Sequence, residues 1–315
     1  NARKKLFLDI NNFFENNKII LKGSSNAFST PNRIIINFSN ISKEILKKPE
    51  EIRGPSVNAK PEALEGFIKS QNILESHLNR KSTEKGEFYF YKKPAQKIMT
   101  HDLLQKNLPL ILDKINWNKS MKWGNNQMFW GRPLKSILAV FDGKKIEFEF
   151  HHLKASNFTF IDKDFEEKIK YFNNFKSYHA FFKSIKIILD QNKREDFIVN
   201  ELNKISKKNN LIIDLKENLL SEINNIVEKP KIIICEFDKK FLNIPKEILI
   251  ITMQNHQKYF PTFDNKGNIT NEFLVVTNKQ DKKGFIKLGN ERVVEARLSD
   301  AEFFWFKDKS STGKF

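Results

Sequence analysis

Between Asn255 and Phe260 the chain places an amide, an imidazole, a second amide, an ammonium, a phenol and a phenyl ring in succession. His256, Lys258 and Tyr259 thus combine a cation with flat rings, the chemistry that holds phosphates and unstacked bases. A plainer role also suits them: at a helix end, His256 and Lys258 would cap the last carbonyls. A second group with the same chemistry is Arg132, set between Gly131 and Pro133 in an aromatic neighbourhood, with Lys122 upstream in Met121-Lys122-Trp123-Gly124. Arg292 and Arg297 complete the candidates. Each has an acidic residue three positions on, Glu295 and Asp300, so ion pairing along one helix competes with an outside anion.

No comparable case exists for catalysis. The sequence has no glycine-rich phosphate loop, paired-cysteine motif or nucleophile elbow. Its carboxylates are plentiful but form no spacing that argues for an acid/base pair. His151 and His152 are adjacent on a strand end, and such neighbours face opposite sides, so they are not paired as metal ligands. No catalytic and no metal-ligating residue is assigned. Cys235, the single cysteine, lies in the strand-like run KIIICEF and reads as a small core residue. A lone cysteine excludes an internal disulfide and accords with a reducing cytoplasm.

The elements that must position these groups are legible in outline. Pro245, Lys246 and Glu247 begin a helix whose apolar residues continue through Met253, and Pro261 blocks its extension beyond Phe260. A second helical stripe is Leu6, Ile10, Phe13 and Phe14 within Arg3 to Asn17. Further helices are expected over 61–67, 103–115, 177–183, 192–207, 219–230 and 284–307. Strands are expected around 19–21, 33–38, 87–92, 186–189, 231–237 and 272–278. Arg53-Gly54-Pro55 reads as a turn, and so does Asp264-Asn265-Lys266-Gly267. Asp142-Gly143, between Ile137-Phe141 and Lys144-Phe150, is the firmest local signal, a two-residue hairpin. Together these predict an α+β chain of antiparallel strands and packed helices, in two lobes (1–118 and 119–315) that meet near Asn116–Lys119.

The 315 residues suffice for two domains with sizeable cores. With 39% hydrophobic and 30% charged residues the chain is globular rather than disordered. Lys and Arg number 55 against 38 Asp and Glu, a net of +17 that favours a polyanionic partner, with nucleic acid first. The abundance of Lys, Asn, Ile and Phe is what A+T-rich coding would produce, so composition accounts for part of that charge. No apolar run approaches a membrane span, and the start NARKKLFLDI has no apolar signal core. The chain opens on Asn1 rather than Met and is expected to be a piece of a longer protein.

Phe241 to Phe260, FLNIPKEILIITMQNHQKYF, and Gly289 to Trp305, GNERVVEARLSDAEFFW, resemble two signature segments of the beta subunit of bacterial heterotetrameric glycyl-tRNA synthetase. Shorter matches stand in the family's order. Thr30-Pro31-Asn32-Arg33 is similar to Thr-Pro-Arg-Arg, and Arg53-Gly54-Pro55 and Arg194-Glu195 match further positions. Met121-Lys122-Trp123-Gly124 resembles Met-Arg-Trp-Gly with a lysine for an arginine, which keeps the charge and loses the bidentate fork. Arg132-Pro133 resembles Phe-x-Arg-Pro. The family's Gly-His-Arg-Phe is absent after Phe160, where Ile161-Asp162-Lys163-Asp164 stands instead, so no role of that stretch transfers. The resemblance implies a tRNA(Gly)-binding subunit that positions tRNA while an alpha subunit carries the class II centre, in an alpha2beta2 assembly. ATP and magnesium would then be used through the alpha subunit, with no cofactor held by this chain. A free-standing basic RNA-binding protein would explain the charge but not the two long signatures. A hydrolase with His256 as base lacks a nucleophile or metal set.

Overall fold

The computed structural model describes residues 2–161 and 168–311. It is α+β, with eight α-helices among the described residues and several small, mainly antiparallel sheets. Two compact units divide the chain: Asn1–Ser25 with Phe38–Asn174, and Asn26–Asn37 with Phe175–Phe315.

The first unit begins with α1 (Ala2–Asn16), whose buried residues are the four of the predicted stripe. Helices α2 (Pro61–Gln71) and α3 (Thr100–Asp113) follow, with Pro61 at the first turn of α2, where its missing N–H costs nothing. Arg53-Gly54-Pro55 is not a turn but lies inside the strand Glu50–Ser56. A register shift between Arg53 and Ser56 accommodates the proline, as a bulge can. The strand expected at Ile19–Leu21 reduces to a single bridge, Leu21 to Ile41. At the Asp142-Gly143 hairpin, Val140 pairs with Lys145 and Phe141 with Lys144. Asp142 (φ 50°) and Gly143 (φ 77°) are both left-handed, which a two-residue turn of this hand demands.

The units do not part at Asn116–Lys119. Residues on both sides of that stretch share one aromatic core: Trp117 packs on Trp130 at 4.9 Å, and Trp130 on Phe150 at 5.8 Å. Gly131 makes this possible, because a Cβ there would sit 2.5 Å from the Trp117 ring. Asp162, Lys163 and Asp164 lie outside the described residues.

The second unit is built on a four-stranded antiparallel sheet in the order Ile212–Ile213, Phe260–Phe263, Ile269–Thr277, Lys231–Glu236. Both faces are covered, so its strands carry consecutive apolar residues, Ile232–Cys235 and Phe273–Val276, rather than a strict alternation. On one face Leu274 and Phe260 meet Ile198 and Leu202 of α5 (after α4, Phe175–Ser184; α5, Gln191–Asn209) and Leu220 of α6 (Glu217–Asn224). On the other, Cys235, Phe273 and Val275 meet Leu249 of α7 (Lys246–Ile251) and Val294 and Leu298 of α8 (Phe285–Ser311).

The helix read from Ile244 to Phe260 is therefore three pieces. After α7 the backbone widens into a π-helical turn over Thr252–Gln257, Lys258 turns left-handed at φ 61°, and a strand starts at Phe260. The N–H of Tyr259 donates to the carbonyl of Met253 at 3.0 Å and closes the helix end. Pro261 sits in the strand rather than stopping a helix. No strand forms at Lys186–Leu189, because the carbonyls of Ile188 and Leu189 accept from the Arg194 guanidinium instead of a neighbouring strand.

Candidate nucleic-acid interface

The residues that chemistry singled out near Lys258 do not share one fate. His256 is exposed, and its ring makes no hydrogen bond among the described residues. Lys258 is half-buried, and its Nζ lies 2.5 Å from the Glu222 carboxylate on α6. Its ammonium is thus held by a neighbouring carboxylate and does not cap its own helix. Beside it, exposed Lys216 donates to Gln254 Oε1 at 2.9 Å, while Gln254 Nε2 is buried with no acceptor among the described residues. One rim of the second unit therefore carries Lys216, His256 and Lys258 where α6 meets the π-helical turn.

Tyr259 is not available to a base. Its ring is 8% exposed and stacks on Phe273 at 5.3 Å, and its hydroxyl donates to Asn290 Oδ1 at 2.5 Å. Burial raises its pKa. The cause is strand alternation: Phe260 faces α5 and α6, so Tyr259 must face α7 and α8. The signal in the sequence is the opposite facing of Tyr259 and Phe260, which suits a strand entry and not a helix end.

Arg292 and Arg297 are exposed on α8, and the pairs anticipated with Glu295 and Asp300 do not form among the described residues. In the first unit Lys122 and Arg132 are both exposed. Lys122 Nζ donates to Gln127 Oε1 at 2.7 Å and sits 5.3 Å from the centroid of the Phe129 ring.

Two other arginines in the sequence motifs, Arg194 and Arg33, are structural. Arg194 is fully buried, with Nε donating to Asn224 Oδ1 at 2.9 Å, Nη1 to the Ile188 carbonyl at 2.7 Å and Nη2 to the Ser29 carbonyl at 3.0 Å. Arg33 pairs with Glu228 at 3.1 Å, both side chains almost buried, and lies over the Phe182 ring at 4.5 Å. Burial pushes the neighbouring Tyr178 hydroxyl up to about 12, with Arg33 opposing and Glu228 assisting. Arg53, by contrast, is exposed and lies over the Phe88 ring at 3.5 Å. Sequence reasoning did not foresee these commitments, since an arginine buried among carbonyls looks like any other arginine in a helix.

Among the described residues no three His, Cys, Asp or Glu side chains group as a metal site, and no helix is long and apolar enough to cross a membrane.

The model of the family described as glycyl-tRNA synthetase beta subunit matches residues 1–314. The chain belongs to that family. It is 34% identical over 303 residues to the glycine–tRNA ligase beta subunit of Dictyoglomus thermophilum, covering 94% of this chain and 44% of that protein. The Rickettsia canadensis beta subunit is 34% identical over 313 residues, 99% of this chain and 47% of that one. For Rickettsia bellii the figures are 36% over 300 residues, 95% and 45%. The chain spans about half the length of the curated relatives it matches.

Proposed function

We propose that this chain is the tRNA-binding part of a glycine–tRNA ligase beta subunit, positioning tRNA(Gly) while an alpha subunit joins glycine to it at the expense of ATP. The observation that carries this reading is the family match along residues 1–314. The exposed cations Lys122, Arg132, Arg292 and Arg297, with His256 and Lys258, support it as phosphate contacts, and Tyr259 leaves the set. The net of +17 works in the same sense once the buried, paired Arg33 and Arg194 are set aside as structural. ATP and magnesium belong to the alpha subunit in this scheme, the assembly is alpha2beta2, and the location is the cytoplasm.

The test has two arms. Binding of a tRNA(Gly) transcript should weaken linearly in log affinity against log salt, with a slope of about −0.7 to −0.9 per phosphate neutralised. Glycine-dependent ATP–pyrophosphate exchange should be absent with this chain alone and present once the alpha subunit is added. Failure to bind tRNA at low salt, or exchange by the chain alone, would overturn the assignment.

A further inference from the structure

In the first unit a hollow of about 530 Å³ opens between the end of α3 and the Met121–Arg132 segment. Its size falls inside the range of about 300–1,000 Å³ typical of small-molecule sites. Trp117, Trp130 and Phe150 form the inner wall, and Phe129, 59% exposed, stands at the mouth. Two neutral carboxamides, Asn116 and Gln127, also line it. At the rim His151 Nε2 lies 3.4 Å from the Asp113 carboxylate. Trp117 Nε1 is buried in the wall with no acceptor among the described residues, an unusual state for an indole donor.

Resting on the reading of the chain as a tRNA-binding subunit, we infer that this aromatic hollow takes an unstacked nucleobase of the bound RNA. Three features point to a base. The exposed Phe129 ring offers a stacking face, the sequence-tolerant part of single-stranded recognition. Asn116 and Gln127 each carry a donor and an acceptor, which matches the edge of a base and not a simple anion. The cations needed for the flanking phosphates stand beside the hollow in sequence: Lys114, Lys119, Lys122 and Arg132 are all exposed. Lys122 already touches two lining residues, Gln127 and Phe129, so a phosphate at Lys122 would place its base at the mouth. Gly131 is the enabling residue, since any side chain there would drive Trp117 out of the wall.

The experiment measures tRNA(Gly) affinity over a salt series for the full chain and for Phe129→Ala and Phe129→Trp, with a thermal melt of each. Phe129 is exposed, so both variants should fold. Loss of a stacked base predicts a drop of roughly 5- to 150-fold for Phe129→Ala. The slope against salt should stay parallel to wild type, because no phosphate contact is removed. Phe129→Trp should restore the affinity. Wild-type affinity in Phe129→Ala, with tRNA still bound by the parent chain, would overturn the hollow and leave the tRNA-binding reading intact. An unchanged tRNA affinity with lost association to the alpha subunit would make the hollow a protein-docking site and overturn it equally. A parent chain that binds no tRNA would remove both.

Discussion

Lys258 is the residue at which structure and function make different demands, and Glu222 lets them be separated. Its ammonium sits 2.5 Å from that carboxylate, with the two side chains 36% and 55% exposed, so the pair is screened by solvent. Exposed pairs of this kind contribute about 0.2–1 kcal/mol. A tRNA phosphate arriving at Lys258 has to share the ammonium with Glu222 or displace it. Glu222→Gln keeps the shape and removes the charge, so it should strengthen tRNA binding by about 1.5- to 5-fold, the same energy expressed as a ratio. Lys258→Ala should make the slope of log affinity against log salt shallower by about 0.7–0.9. Over a fourfold rise in salt, the affinity gap to wild type should narrow about threefold. Lys258 also holds a left-handed backbone, φ 61°, which costs a non-glycine residue about 1 kcal/mol. Lys258→Gly should therefore melt higher than Lys258→Ala while showing the same salt slope. The assay is tRNA binding by fluorescence anisotropy across the salt series, beside melts of all four proteins. If neither Lys258 variant changes the slope and Glu222→Gln leaves affinity where it was, Lys258 is a structural partner of Glu222 and the rim around it does not contact RNA.

Arg194→Leu should destabilise the second unit by at least about 3 kcal/mol, because the carbonyls of Ile188 and Ser29 and the Asn224 amide oxygen lose their donor inside the protein at about 1–3 kcal/mol each. Arg194→Lys should recover only part of this, since an ammonium cannot reach three directions in one plane; urea unfolding measures both, and a loss under about 1 kcal/mol for Leu would refute the account. Cys235 should be inert to thiol reagents at pH 8 until the chain unfolds, because burial pushes its thiol up to about 12, with Glu291 adding to the shift. The folded thiol holds its proton above the pH at which the unfolded one loses it. Cys235 therefore subtracts stability as pH rises from about 9 toward 12, and Cys235→Ala should flatten that part of the stability–pH curve.

Local sequence determined those elements whose causes are local. The Leu6, Ile10, Phe13 and Phe14 stripe specifies α1, since helical spacing alone gathers the four on one face. Asp142-Gly143 specifies its hairpin because a two-residue turn needs left-handed backbone that these residues tolerate. Asp264 to Gly267 likewise forms its turn, with the Gly267 N–H donating to the Asp264 carbonyl at 3.0 Å. The exposure of His256, Arg132 and Arg292 also followed from side-chain type, as charged and polar groups on element surfaces remain in water. Tertiary structure decided the rest of the site. Tyr259 and Lys258 are neighbours, yet one is packed on Phe273 and the other faces Glu222, because the sheet is covered on both sides and no local pattern says which helices cover it. Arg194 is buried because Asn224 and Ser29, 30 and 165 residues away in sequence, bring their oxygens to the same point as the nearby Ile188 carbonyl. Trp117, Gly131 and Trp130 form one wall because a missing side chain at Gly131 lets an indole lie against backbone, a fit that exists only once the chain has folded back on itself.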